Sequence, residues 1–226
     1  PPVGLVRFGS LRRTTPIAPM WPPRYGRPID RHYIEGFLER EAGAISGEVL
    51  EVGDLAYTKR FGGSAVTGAS ILHSPIGAGP GVTYSADLAD APEIPSQHFD
   101  CVILPQTLLF IYDVHAAVRT LHRILRPNGV LLVTVPGLTH TVPEDKEMWG
   151  QYWSFTDDSL RRLFGDVFGP ENVEIESHGN VLTTTAFLYG LVVEDLRAAD
   201  FVTDDPDYPL VLTVRATRAG VSEPGS

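Results

Sequence analysis

The run GVLLVTVPG, residues 129–137, constrains the fold more than any other stretch. It is apolar at successive positions, so both faces of an extended chain there must be buried. That is the habit of a strand inside a parallel sheet with helices covering both sides. The residues just before it supply one cover: in DVHAAVRTLHRILRP, Val114, Ala117, Val118, Leu121, Ile124 and Leu125 fall at helical spacing, and Pro127 and Gly129 provide the stop.

The same alternation runs through the chain from Asp30. DRHYIEGFLEREAGAI sets Tyr33, Ile34, Phe37 and Leu38 on one helical face. GEVLEVG and FDCVILP are short buried strands, with SAVTGASILH and GVTYSA as weaker ones. FTDDSLRRLFGDVFG starts a helix on the N-cap Thr156, with Asp157 and Asp158 in its first turn. NVEIES reads as a strand, VLTTTAFLYGLVVEDL as a helix and YPLVLTVRAT as a last strand. The pattern predicts an α/β fold: a Rossmann-like doubly wound sheet, mostly parallel with an antiparallel last strand, helices on both faces, and an N-terminal arm. Such a sheet binds its ligand at the carboxyl ends of the strands, where the chain order reverses.

The expected organisation is an arm or lid over residues 1–28, one domain over 29–218 and a flexible tail over 219–226. Seven of the nineteen prolines fall in the arm, which excludes regular helix or central strand there. Phe8, Ile17, Met20, Trp21 and Tyr25 make it too apolar for a disordered tail. Arg7, Arg12, Arg13, Arg24 and Arg27 all precede the first acid, Asp30. These cations either draw an anionic substrate or neutralise an acidic body by packing on it.

The whole chain carries a net charge of −10, which argues against nucleic-acid binding. No apolar run reaches the roughly 20 residues that span a bilayer, and no signal peptide is evident. The single cysteine, Cys101, lies within an apolar strand and reads as inert core, which fits a reducing cytoplasmic setting. Monomer and homodimer both remain open.

The order GEVLEVG, ADL, FDCVILPQTLLFIYD and LHRILRPNGVLLVTVPG resembles the class I S-adenosylmethionine-dependent methyltransferases over roughly residues 30 to 180. PIDRHYIEGFL and WGQYWSFTDDSLRRLF further resemble a bacterial subgroup found near glycosyltransferases and natural-product genes. The resemblance implies S-adenosylmethionine as cofactor, S-adenosylhomocysteine as product and a small-molecule acceptor. Carried over by position, Glu51 and Gly53 match the acid and first glycine of the family's first motif. Asp87 and Leu88 match the acidic-apolar pair that reads the adenine, and Gln106 the position facing the methyl group.

Two departures stand out. Leu55 and Tyr57 replace the family's further glycines, and Asp54 adds a second charge. The Tyr57 hydroxyl, or the charge of Lys59 or Arg60, is then available to the cofactor's carboxylate. At the end of the second strand ILHSPIG lacks the acid expected to hold the ribose, leaving His73 or Ser74 to supply one hydrogen bond. Losing a bidentate contact costs on the order of 1–3 kcal/mol.

For the transfer itself, His140 follows the fifth strand and is the candidate general base. Glu144 and Asp145 are alternatives, although KE beside them also reads as a solvated turn. His32, Trp149, Tyr152 and Trp153 are candidate substrate-pocket residues, and the aromatics serve equally as core. His73 and His140 lack metal-ligand spacing, so no metal is expected. The leading expectation is methylation of a sugar or secondary-metabolite hydroxyl. A cyclase or isomerase on the same fold, using the cofactor non-reactively or not at all, is the alternative.

Overall fold

The computed structural model describes residues 9–18 and 25–220. Seven strands form one sheet: β1 (Gly47–Val52), β2 (Val66–His73), β3 (Tyr84–Ser85), β4 (Phe99–Pro105), β5 (Leu125–Pro136), β6 (Val173–His178) and β7 (Val211–Thr217). Their order is β3-β2-β1-β4-β5-β7-β6. The first five run parallel, while β7 is antiparallel to both its neighbours. The doubly wound sheet with an antiparallel last strand is therefore present, and its order reverses between β1 and β4.

Alternation along the strands builds two cores. Leu50, Val102, Leu104, Leu131 and Val133 face α2 (Val114–Ile124) and α4 (Asp157–Phe168). Val49, Cys101, Ile103 and Leu132 face α1 (Ile29–Arg40) and α5 (Val181–Leu188). Burial pushes the Cys101 thiol up to about 12, so it stays protonated and inert. At the amino end of the sheet, Asp100 accepts from the Glu48 backbone at 2.8 Å and pairs with Arg126 at 2.5 Å. That fixes the strand start on the side away from the ligand end.

Local details follow the chemistry of the caps. Thr156 caps α4 by accepting from Ser159 N at 3.2 Å. The helix anticipated over 181–196 stops at Leu188, because Gly190 takes φ +74°. Gly190 N then bonds Phe187 O and Leu191 N bonds Ala186 O, which closes the helix end. No α-helix links β1 to β2; a π-helical turn, Thr58–Gly62, and a short 3-10 turn make that crossing.

Within the arm, Arg7, Phe8, Met20, Trp21 and Arg24 lie outside the described residues, as do residues 221–226 of the tail. The described part docks on the end of α5: Ile17 N donates to Tyr189 O at 2.8 Å, and the Tyr189 hydroxyl to Leu11 O at 2.5 Å. Arg27 pairs with Glu35 at 2.7 Å, so this arm cation neutralises an acid of the body.

Candidate functional site

The carboxyl ends of β1 and β4 open into a cleft of two joined lobes, about 710 and 740 Å³. Both lobes share Val52, Gly53, Pro105, Gln106, Phe110 and Trp149, so the two form one continuous space. The larger lobe reaches the ends of β2 and β3. The smaller one lies over β5 and beneath the start of α1.

Gly53 forms the floor where the lobes meet. Its φ is +97°, and a Cβ built there would meet nothing within 4 Å. The chain thus turns sharply while leaving its backbone open to a ligand. Glu51, one step back, is 1% exposed. Its two oxygens accept from Tyr57 N at 3.0 Å and Thr58 N at 2.8 Å. The acid therefore anchors the start of the π-helical turn while still lining the smaller lobe. Burial raises its pKa against the pull of those bonds. Asp54 accepts from Ala56 N at 2.7 Å on the exposed side of the same turn.

Tyr57 lines the smaller lobe, and its hydroxyl accepts from Arg31 Nη1 at 2.9 Å. Arg60 lies outside both lobes: it pairs with Glu35 at 2.9 Å and covers the Phe61 ring. The cation placed at the lobe is instead Arg31, which the sequence reading passed over, together with Asp30. Both stand in the first turn of α1, where an acid reads as a helix-dipole partner, and only their meeting with the loop marks them.

In the larger lobe, His73 Nδ1 lies 2.9 Å from Ser74 O. A carbonyl only accepts, so Nδ1 carries the proton and Nε2 is left as an acceptor. Asp87 is exposed and accepts from Ala89 N at 2.9 Å, while Leu88 is buried beside it. His73, Asp87, Leu88 and Tyr152 all line this lobe. Gln106 holds φ +44°, outside the usual range for a non-glycine residue, and its backbone N donates to Thr134 O at 2.8 Å. Its buried Nε2 has no partner, although it lies at the junction of the lobes.

His140 lines the smaller lobe, and its Nδ1 is likewise buried and unpartnered. Burial lowers its pKa, opposed by the charge of Asp30, so the imidazole is neutral at physiological pH. Gln151 steadies it from behind, donating to His140 O at 3.0 Å and accepting from Val142 N at 3.1 Å. Trp149 spans the cleft. Its Nε1 donates to Ile76 O at 3.3 Å, and its ring lies 5.6 Å from Phe110.

His32 and Trp153 line neither lobe: His32 packs on Phe201 at 4.3 Å, and Trp153 donates to Ile111 O at 3.0 Å. Among the described residues no cluster of His, Cys, Asp and Glu is arranged to hold a metal, and no helix is long and apolar enough to cross a membrane.

Residues 52–133 match the family model described as a methyltransferase domain. A 104-residue stretch, 45% of this chain, is 26% identical to a probable polyketide synthase 5 of Dictyostelium discoideum; it spans only 4% of that protein. Among solved structures, Haemonchus contortus phosphoethanolamine N-methyltransferase 2 in complex with S-adenosyl-L-methionine aligns with TM-score 0.53 and 15% identity. That alignment covers 83% of this chain and 52% of the other. An S-adenosylmethionine-dependent methyltransferase of Archaeoglobus fulgidus gives TM-score 0.54, 12% identity and coverages of 83% and 94%. The 4+2 cyclase SpnF gives 0.53, 14%, 88% and 84%. At these identities the structural likeness carries the fold, and the family match is a likeness to a methyltransferase domain over the segment from the end of β1 into β5.

Proposed function

We propose that the protein is a cytoplasmic S-adenosylmethionine-dependent methyltransferase acting on a hydroxyl of a small sugar or secondary metabolite. The observation that carries this reading is the continuous two-lobed cleft at the reversal point, floored by the open backbone of Gly53 and the unpartnered Gln106 Nε2. The residues present fit the cofactor. Leu88 and Asp87 offer an apolar wall and an acceptor for the adenine, and His73 Nε2 offers one acceptor to the ribose. Arg31 and the Tyr57 hydroxyl offer donors to the carboxylate, with Glu51 and Asp54 near the ammonium.

When bound, S-adenosylmethionine supplies an electrophilic methyl on a sulfonium and departs as the neutral thioether. The protein's task is alignment in a space shielded from water. Trp149 roofs that space, and the neutral His140 that lines it is the general base of this reading, accepting the hydroxyl proton. The resemblance to a subgroup near natural-product genes, and the likeness to a stretch of a polyketide synthase, support the acceptor class.

A second reading is a cyclase or isomerase that holds the cofactor unreacted. It is favoured by the missing ribose carboxylate, and SpnF shows that a protein of this fold can be a cyclase.

Calorimetric titration with S-adenosylmethionine and S-adenosylhomocysteine tests both readings. Micromolar binding of both, followed by transfer of labelled methyl to a hydroxylated acceptor, is expected. Binding without transfer to any acceptor favours the cyclase, and no heat at millimolar ligand excludes the methyltransferase.

A further inference from the structure

The smaller lobe has more acid than the cofactor needs. Asp30, Glu51, Asp54 and Asp145 line it against a single guanidinium, Arg31. Glu51 and Asp54 sit on the Gly53 turn and bond its backbone. Asp30 and Asp145 come from elsewhere, the first turn of α1 and the short helix α3 (Pro143–Met148). The Asp30 carboxylate accepts from the neighbouring Arg31 backbone N at 2.9 Å and feels the Arg31 charge, and among the described residues no hydrogen bond reaches the Asp145 carboxylate. Burial pushes both carboxyls above their ordinary range, so each gains from a cation beside it. The rest of the wall suits a cation as well, since Phe110, Trp149 and Phe187 present aromatic surface to the same space.

Resting on the methyltransferase reading, we propose that the acceptor carries a basic nitrogen as well as the hydroxyl, and that Asp145 and Asp30 hold its ammonium within the lobe that His140 lines. An acidic acceptor is disfavoured by the same carboxylates, whatever the cations of the arm do outside. Two features beyond the acids fit a polar ligand here: among the described residues the buried His140 Nδ1 and Gln106 Nε2 have no partner, and both half-buried side chains line this lobe.

The test uses the full chain with three probes of one shape: phenethylamine, phenethyl alcohol and phenylacetate. Each is titrated by ligand-observed NMR with saturating S-adenosylhomocysteine and again without it. The amine should bind about tenfold more tightly than the alcohol, with phenylacetate weakest. Asp145→Asn and Asp30→Asn should each remove most of that preference while leaving S-adenosylhomocysteine affinity within about twofold. Glu144→Gln, which removes an exposed charge next door that lines neither lobe, should leave the preference intact. Equal binding of amine and alcohol, no binding of any probe to cofactor-loaded protein, or a preference that survives both Asn variants overturns the proposal. Failure of S-adenosylhomocysteine to bind overturns the cofactor reading instead, and the amine preference is then read on the protein alone.

Discussion

Gly53 offers the sharpest separation between a cofactor cradle and a mere turn. At φ +97° with nothing within 4 Å of its virtual Cβ, Gly53→Ala meets no clash inside the protein. It carries only the backbone cost of a left-handed non-glycine residue, about 1–3 kcal/mol. At roughly 2–4 °C per kcal/mol for a chain of this size, Tm should fall by about 2–12 °C. The new methyl group also projects into the space where the lobes join. Overpacking there costs about 1–3 kcal/mol more, a loss of about five- to 150-fold in S-adenosylhomocysteine affinity. Gly63 is the control. It has φ +57° and open surroundings, and it ends the π-helical turn without lining either lobe. Gly63→Ala should lose similar stability and keep its affinity within about twofold. Calorimetry with S-adenosylhomocysteine and thermal unfolding of both variants read the two effects separately. Undiminished affinity in Gly53→Ala, or the same loss in both variants, would refute the reasoning.

Arg31→Gln should weaken S-adenosylhomocysteine about tenfold yet leave methylthioadenosine, which lacks the amino-acid end, unchanged; equal losses for both ligands would place Arg31 in the loop's architecture alone. Trp149→Phe cuts the bond to Ile76 O and should speed both association and dissociation of S-adenosylhomocysteine in stopped-flow, and unchanged rates would deny Trp149 a roof function. Buried His178 has its pKa lowered, chiefly by burial and against Asp204 and Glu176. A depressed group contributes stability above its unfolded value of about 6.5 and loses it as pH falls through the folded value. His178→Gln should therefore flatten the acid-side decline in unfolding free energy by up to about 1.4 kcal/mol per pH unit, read from denaturant unfolding at several pH values; an unaltered slope would assign the decline to other groups.

The fold was legible because its signals are local. The doubly apolar β5, the helical spacing of α2 and the Thr156 cap each declare themselves within a dozen residues. What was misread failed for equally local reasons. The apolar run after Val181 looked long enough for one extended helix, but Gly190 in the left-handed region ends it. A place in the cleft was legible for residues at or just after strand ends, Gly53, His73, Gln106 and His140, because the family resemblance and the strand order point to the same end of the sheet. It was not legible where a side chain arrives from a distant segment. Arg31 meets Tyr57 across 26 residues of sequence, and Arg60, adjacent to the loop and of the right charge, is drawn away by Glu35. Charge near a motif does not say which way a side chain turns; the competing carboxylate on α1 decides it.

The loop after β1 shows what the missing glycines are exchanged for. A glycine-rich turn admits a cofactor by having no side chains in the way. Here one glycine remains, and the chain instead leaves the site at once in a π-helical turn. That turn begins with backbone N–H groups that no preceding helical carbonyl serves. Glu51, buried beneath them, accepts two of them, Tyr57 N and Thr58 N. With both oxygens already bonded to the loop, Glu51 acts on any ligand mainly through its charge and through the loop it holds. The directed contact passes to Tyr57, which the turn points into the lobe, and to Arg31, which α1 brings against it. The acid and the tyrosine are therefore one device: the carboxylate that fixes the turn also sets the position of the ring that replaces a glycine.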